Sequence, residues 1–153
     1  MRSAGPCGSA HEPVYVVLGG LGYIGSAVVQ ALLRRGDQVV VVDRTRRDDL
    51  PLFALDGRIP PGAAGYAQVD LLDHAALAAV LREIAARWRA LVVIHLVGLF
   101  VKDPGKRTAV CANDYVQHNV VTTEHIVEVL NELEADVRFI YQSAGGAYRT
   151  FLD

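Results

Sequence analysis

Residues 14–43 restrict the possible folds more than any other stretch of this 153-residue chain. An apolar run, Val14-Tyr15-Val16-Val17-Leu18, feeds the segment Gly19-Gly20-Leu21-Gly22-Tyr23-Ile24-Gly25. A helical stretch over 26–35 then leads into Val39-Val40-Val41-Val42, which stops on Asp43. The order is strand, glycine turn, helix, strand and acid, a βαβ unit. Each glycine has its own physical task. Gly19 lets the chain leave the strand in a tight turn where φ is positive. Gly22 has no Cβ, so a ligand phosphate can approach the backbone, and Gly25 lets the helix pack close to the strand. The helix starts with unpaired N–H groups and the positive end of its dipole, a place suited to an anion. Asp43 lies 18 residues beyond Gly25, close to the spacing at which a carboxylate accepts hydrogen bonds from a ribose.

A structural turn would also use glycine, but the flanking strand, helix and acid favour a dinucleotide site. The candidates there are Gly19, Gly22, Tyr23, Ile24 and Gly25 at the diphosphate and Asp43 at the ribose. Arg44, Arg46 and Arg47 read either as a solvated loop or as a place where one arginine covers the adenine or meets a 2′-phosphate; Arg44 is kept as a candidate. A carboxylate at 43 would repel a 2′-phosphate, so the expected cofactor is NAD rather than NADP.

The length predicts one domain. A net charge of −2 gives no basic field for nucleic acid. Cys7 and Cys111 are too few and too far apart for a disulfide framework or a metal site, and no metal is expected. Residues 1–13 hold small residues and proline without an apolar core, and read as a flexible tail rather than a secretory signal. The apolar runs are of strand length, so no membrane span and a cytoplasmic location are expected.

Further along, 44–66 is irregular and broken by Pro51, Pro60 and Pro61. A third strand is predicted at 66–70 and a helix at 74–89 capped by Asp73, with Leu77, Val80, Leu81, Ile84 and Trp88 at helical spacing. A fourth strand covers 91–97, a loop 98–111, and a long helix starts near Asn113. That helix is expected to bury Val116, Val120, Thr123, Val127 and Leu130 and to wet Glu124, Glu128, Asn131 and Glu132. Ile126, Val129 and Leu133 widen its apolar surface and suggest a partner helix, hence a homodimer through 113–133. The first helix is expected to pack Ile24, Ala27, Val28, Ala31 and Leu32 on the sheet, and a fifth strand is predicted at 137–141. Strands alternating with helices imply an α/β, doubly wound parallel sheet of the Rossmann type, in order 3-2-1-4-5.

The chain resembles the N-terminal part of an extended short-chain dehydrogenase/reductase, the NAD-dependent epimerase/dehydratase family, with UDP-glucose 4-epimerase-like members nearest. The likeness runs over about 14–148. It rests on Gly-Gly-Leu-Gly-Tyr-Ile-Gly-Ser at 19–26, Asp43, Val69-Asp70-Leu71, Val93-Ile94-His95-Leu96-Val97-Gly98-Leu99, Asn119-Val120-Val121-Thr122-Thr123 and Arg138-Phe139-Ile140-Tyr141-Gln142-Ser143. The resemblance implies that Asp70 and Leu71 border the adenine, one by side chain and the other by backbone. It implies that Leu96, Val97 and Gly98 run along the pyrophosphate and the nicotinamide ribose. It also implies that Asn119 ties the long helix to nearby backbone. Asp70 could equally cap a turn. His95 reads as a satisfied core histidine rather than a catalyst.

The departures bear on chemistry. The family uses a Ser or Thr after strand five and a Tyr-x-x-x-Lys pair whose lysine lowers the tyrosine pKa. Here Ala144 stands at the serine position with Ser143 one residue early, and no Tyr-x-x-x-Lys occurs: Tyr141 is followed four later by Gly145 and Tyr148 by Leu152. The only lysines are Lys102 and Lys106. No catalytic residue is therefore assigned, and 14–153 is expected to be a C-terminally truncated NAD-binding domain, inactive alone. Three functions follow as expectations: the cofactor half of a sugar-nucleotide epimerase, dehydratase or hydroxysteroid-type dehydrogenase; a non-catalytic dinucleotide-binding or interaction module; or a truncated product without function.

Overall fold

The computed structural model describes residues 12–45, 65–99 and 112–143. The expectations for the tail, for 46–64, for the loop with both lysines, for Cys7 and Cys111, and for Ala144 and Tyr148 lie outside the described residues. Five parallel strands form one sheet in the order β3-β2-β1-β4-β5. They are β1 (Val14–Leu18), β2 (Gln38–Asp43), β3 (Gly65–Gln68), β4 (Ala90–His95) and β5 (Asp136–Tyr141). Helix α1 (Tyr23–Arg35) joins β1 to β2, and α2 (His74–Arg87) joins β3 to β4. The segment leading to β5 is α3 (Ala112–Val116), a wide π-helical turn (Gln117–Val121) and α4 (Thr122–Asn131).

Residues of the central strands alternate between two apolar layers, as the period of 2 requires. Val16, Leu18, Val40, Val42, Leu91 and Val93 pack with Leu77, Leu81, Ile126 and Val129 from α2 and α4. Val17, Val39, Val41, Val92 and Ile94 pack on the other face with Val29 and Leu32 of α1. Central strands covered on both sides explain the unbroken valine runs. Local signals end the helices as expected. The Asp73 carboxylate accepts from the Ala76 N–H at the start of α2, and Gly36 closes α1 at φ 86 after Arg34 and Arg35.

Three expectations need correction. Helix α1 begins at Tyr23, one turn before 26, and buries Gly25, Val29 and Leu32, while Ile24, Ala27 and Ala31 are exposed. Its phase is set by Gly25: a Cβ there would lie 2.0 Å from the Gly19 carbonyl oxygen, so this is where helix touches turn. In the long helix, Val116, Val120 and Val127 are exposed, whereas Ile126, Val129 and Leu130 are buried with Thr122. The wide turn, in which the Thr122 N–H donates to the Gln117 carbonyl five residues back, is not the cause, since Val116 before it and Val127 after it are exposed alike; the stripe read from the spacing faces outward, and α4 meets the core through Ile126 and Val129 instead. The Ile126, Val129 and Leu133 surface therefore packs within this chain, against the core shared with α2, and does not call for a second chain. Last, β3 and β4 end at Gln68 and His95, earlier than predicted.

Candidate functional site

The sheet reverses its winding between β1 and β4, and a crevice opens at their C-terminal ends, the place where such sheets bind ligands. The turn after β1 forms its floor. The Gly19 N–H donates to the Val42 carbonyl (2.8 Å) and the Gly22 N–H to the Gly19 carbonyl (3.0 Å). Gly19 sits at φ 81, and a Cβ on it would meet Val97 Cγ2 at 2.7 Å. Gly22 caps α1 with extended backbone, and no side chain caps that helix among the described residues. The first N–H groups of α1 are thus left for an anion.

Asp43 closes the β2 side. Its Oδ2 accepts from the Leu21 N–H (3.0 Å) and its Oδ1 from the Thr45 N–H (2.9 Å), while only 9% of the residue is exposed. Each oxygen keeps a further lone pair for a ligand hydroxyl. The backbone after Asp43 is pinned from β3: the Tyr66 hydroxyl donates to the Thr45 carbonyl, and Gln68 Nε2 to the Arg44 carbonyl (3.3 Å). Burial first, and the Asp43 carboxylate second, raise the Tyr66 phenol pKa and keep it a donor.

Of the sequence candidates, Gly19, Gly22, Asp43, Arg44, Asp70, Leu71, Leu96, Val97 and Gly98 line this one crevice. Ile24 and Asn119 line an adjoining hollow with Leu96, Val97, Gly98, His95, Tyr141, Gln142 and Ser143. Gly25 is buried beneath the turn, and the Tyr23 side chain, 83% exposed, lines neither. Asp70 also caps its own turn, accepting from the Leu72 N–H (3.0 Å). Asn119 grips Leu99 by both backbone groups: the Leu99 N–H donates to Oδ1 (2.6 Å) and Nδ2 donates to the Leu99 carbonyl (3.2 Å).

His118 and Thr122 also line the crevice, and sequence reasoning missed them. Their spacing of four, on the stripe that continues to Ile126 and Val129, was the available signal, passed over because the other apolar stripe was taken as the inner one. Carbonyls loosened at the wide turn are taken by hydroxyls: Thr122 Oγ1 donates to the His118 carbonyl (2.8 Å) and Thr123 Oγ1 to the Asn119 carbonyl (3.0 Å).

His95 is only partly the satisfied core histidine expected. The Thr123 hydroxyl proton is already donated to Asn119, so Thr123 Oγ1 accepts from His95 Nε2–H (3.1 Å). Nδ1 then bears a lone pair with no hydrogen-bond partner among the described residues. Burial lowers the pKa of this histidine, 1% exposed, to about 4. An unfolded histidine titrates near ~6.5, so between that pH and about 4 the unfolded chain takes a proton that the folded one refuses. Stability should fall across this window by up to about 1.4 kcal/mol per pH unit. Urea melts at pH 7, 5.5 and 4.5 check this, and His95→Gln should flatten the loss relative to the parent chain.

No group of three or more His, Cys, Asp or Glu among the described residues could hold a metal. No described helix is long and apolar enough to cross a membrane.

Comparison with known proteins agrees with this geometry. The family model of the NAD dependent epimerase/dehydratase family matches residues 15–151. The chain is 31% identical over 133 residues to the UDP-glucose 4-epimerase of Erwinia amylovora, covering 87% of this chain and 37% of that protein. It is 32% identical over 139 residues to UDP-glucose 4-epimerase uge1 of Schizosaccharomyces pombe, covering 90% and 37%. A crystal structure of UDP-glucose 4-epimerase superposes with a TM-score of 0.66 at 28% identity, over 89% of this chain and 37% of that one. The Bordetella bronchiseptica enzyme WbmG, solved in complex with NAD, shares the fold with a TM-score of 0.60 at 19% identity, over 94% and 40%. The chain spans a little over a third of the length of these relatives.

Proposed function

This chain belongs to the NAD dependent epimerase/dehydratase family, and we propose that it is the NAD-binding part of a protein acting on sugar nucleotides in the manner of its UDP-glucose 4-epimerase relatives. The observation that carries the reading is an uncapped helix N-terminus behind a glycine turn, with the Asp43 carboxylate on the same crevice. The site fits the cofactor by shape as well as charge. Gly19 and Gly22 both line the crevice, and Gly19 has no room for a Cβ, so the wall there is bare backbone that a phosphate can approach.

In this reading the N–H groups of Tyr23 and Ile24 at the start of α1 hold the diphosphate and Asp43 takes the ribose hydroxyls. Arg44 edges that ribose, Asp70 and Leu71 border the adenine, and Leu96, Val97 and Gly98 run toward the nicotinamide ribose. Asn119 fixes the segment ending at Leu99. NAD, when bound, supplies a hydride acceptor for a sugar carbon. Proton transfer is assigned to none of the described residues. Association with a second copy would use the exposed Val116, Val120 and Val127 on the α3–α4 segment, rather than the buried residues first suggested.

Thermal melts with NAD and with NADP test the reading. A ligand at about 100 times its dissociation constant adds roughly 2.7 kcal/mol to a native state that binds it. NAD should raise the melting temperature, and NADP should do so only at higher concentration. Stabilisation by neither nucleotide contradicts the proposal.

A further inference from the structure

We propose that His125 is a positioning residue for the adenine end of the crevice, holding the turn after β3 from across the helix layer. The inference rests on the dinucleotide reading above and deepens it. The strand order fixes where each part of a dinucleotide would lie. With the diphosphate at the β1 turn and the ribose at Asp43 on β2, the base falls at the end of β3. There the Val69 N–H donates to the Asp43 carbonyl (2.9 Å), so the turn at 69–73 hangs directly from the ribose-binding residue.

Two bonds shape that turn from within: Leu72 N–H to Asp70 Oδ1 (3.0 Å) and Asp73 N–H to the Asp70 carbonyl (2.9 Å). The Leu71 carbonyl is held from outside, by His125 Nδ1 on α4 at 3.0 Å, 54 residues away in sequence. A carbonyl only accepts, so Nδ1 carries the proton. The ring is braced in turn by His74, the first residue of α2, which meets it edge-on at 5.0 Å. His74 Nε2 faces Glu128 Oε2 at 3.5 Å, one turn along α4 from His125. The contact thus fastens α4, the start of α2 and the adenine-bordering turn together. Losing it lets Leu71 populate positions that do not bind, and apparent affinity falls by the fraction of chains so displaced.

Titrations of NAD and AMP into the parent chain, His125→Ala, His125→Asn and His125→Gln read this out. The asparagine amide nitrogen can take the place of Nδ1, whereas the glutamine amide reaches toward Nε2. His125→Ala should weaken NAD and AMP by the same factor, roughly five- to tenfold for one hydrogen bond. His125→Asn should recover most of the loss and His125→Gln little of it. Equal affinity in the alanine variant, a loss confined to NAD, or no difference between Asn and Gln overturns the positioning role while leaving the dinucleotide reading intact. A parent chain that binds neither NAD nor AMP removes both. If the alanine variant does not fold, the contrast between Asn and Gln still decides.

Discussion

Gly25→Ala should destabilise the folded chain by about 3 kcal/mol or more, whereas Gly22→Ala should leave it nearly as stable and abolish tight NAD binding. The two glycines stand three residues apart on one turn, and the expected difference comes from what a methyl group would strike. At Gly25 it would lie 2.0 Å from the Gly19 carbonyl oxygen and 2.8 Å from Gly20 Cα. Both are backbone atoms, so relief requires helix α1 to move off the turn and off the core it covers through Val29 and Leu32. At Gly22 the one neighbour among the described residues is the Gly19 carbonyl oxygen at 3.2 Å, which must yield by only a few tenths of an ångström, and φ is −71, a value alanine adopts readily. The methyl group there would occupy the crevice. Urea melts without ligand and NAD titrations on the surviving variant separate the two effects. Equal loss of stability at both positions contradicts the geometry.

Asp43→Ala carries the second large effect, because one carboxylate serves the fold and the ligand together. Its removal strands the Leu21 N–H, on a residue only 5% exposed, and releases the Thr45 N–H. A buried donor without a partner costs about 1–3 kcal/mol, so the melting temperature should drop even in the absence of nucleotide. NAD affinity should fall further, since the ribose loses its acceptor. Asp43→Asn separates charge from hydrogen bonding: one oxygen still accepts, but no negative charge opposes a 2′-phosphate. The Asn variant should therefore bind NAD about tenfold more weakly and narrow the gap to NADP. An unchanged preference for NAD over NADP would show that Asp43 does not face the ribose.

The sheet was legible in the sequence because its signals are local. Val39 to Val42 and Leu91 to Ile94 are apolar runs of strand length, each separated from the next by a helical period and a turn, and such spacing admits only parallel pairing with crossovers. Nine of the sequence candidates fell on one crevice for the same reason, since they follow the C-terminal ends of successive strands. Helix faces were less legible. On α1 the phase is decided by one close contact at Gly25 and not by the average of the apolar residues. On the long helix two apolar stripes compete, and the core takes the one with Ile126 and Val129 and leaves Val116, Val120 and Val127 outside, which spacing alone does not decide. The same choice of stripe passed over His118 and Thr122. The role of His125 was illegible for another reason: its partner is a backbone carbonyl 54 residues away, which no side-chain pattern marks.

The most direct measurement is amide hydrogen exchange across residues 12–45 and across β5 (Asp136–Tyr141), with and without saturating NAD. Exchange should slow at Leu21, Tyr23, Ile24 and Gly25 and stay unchanged at Arg138 to Ile140 on β5, the edge strand of the sheet. Unaltered exchange through the turn in a chain that demonstrably binds NAD would place the nucleotide elsewhere and contradict the proposed site.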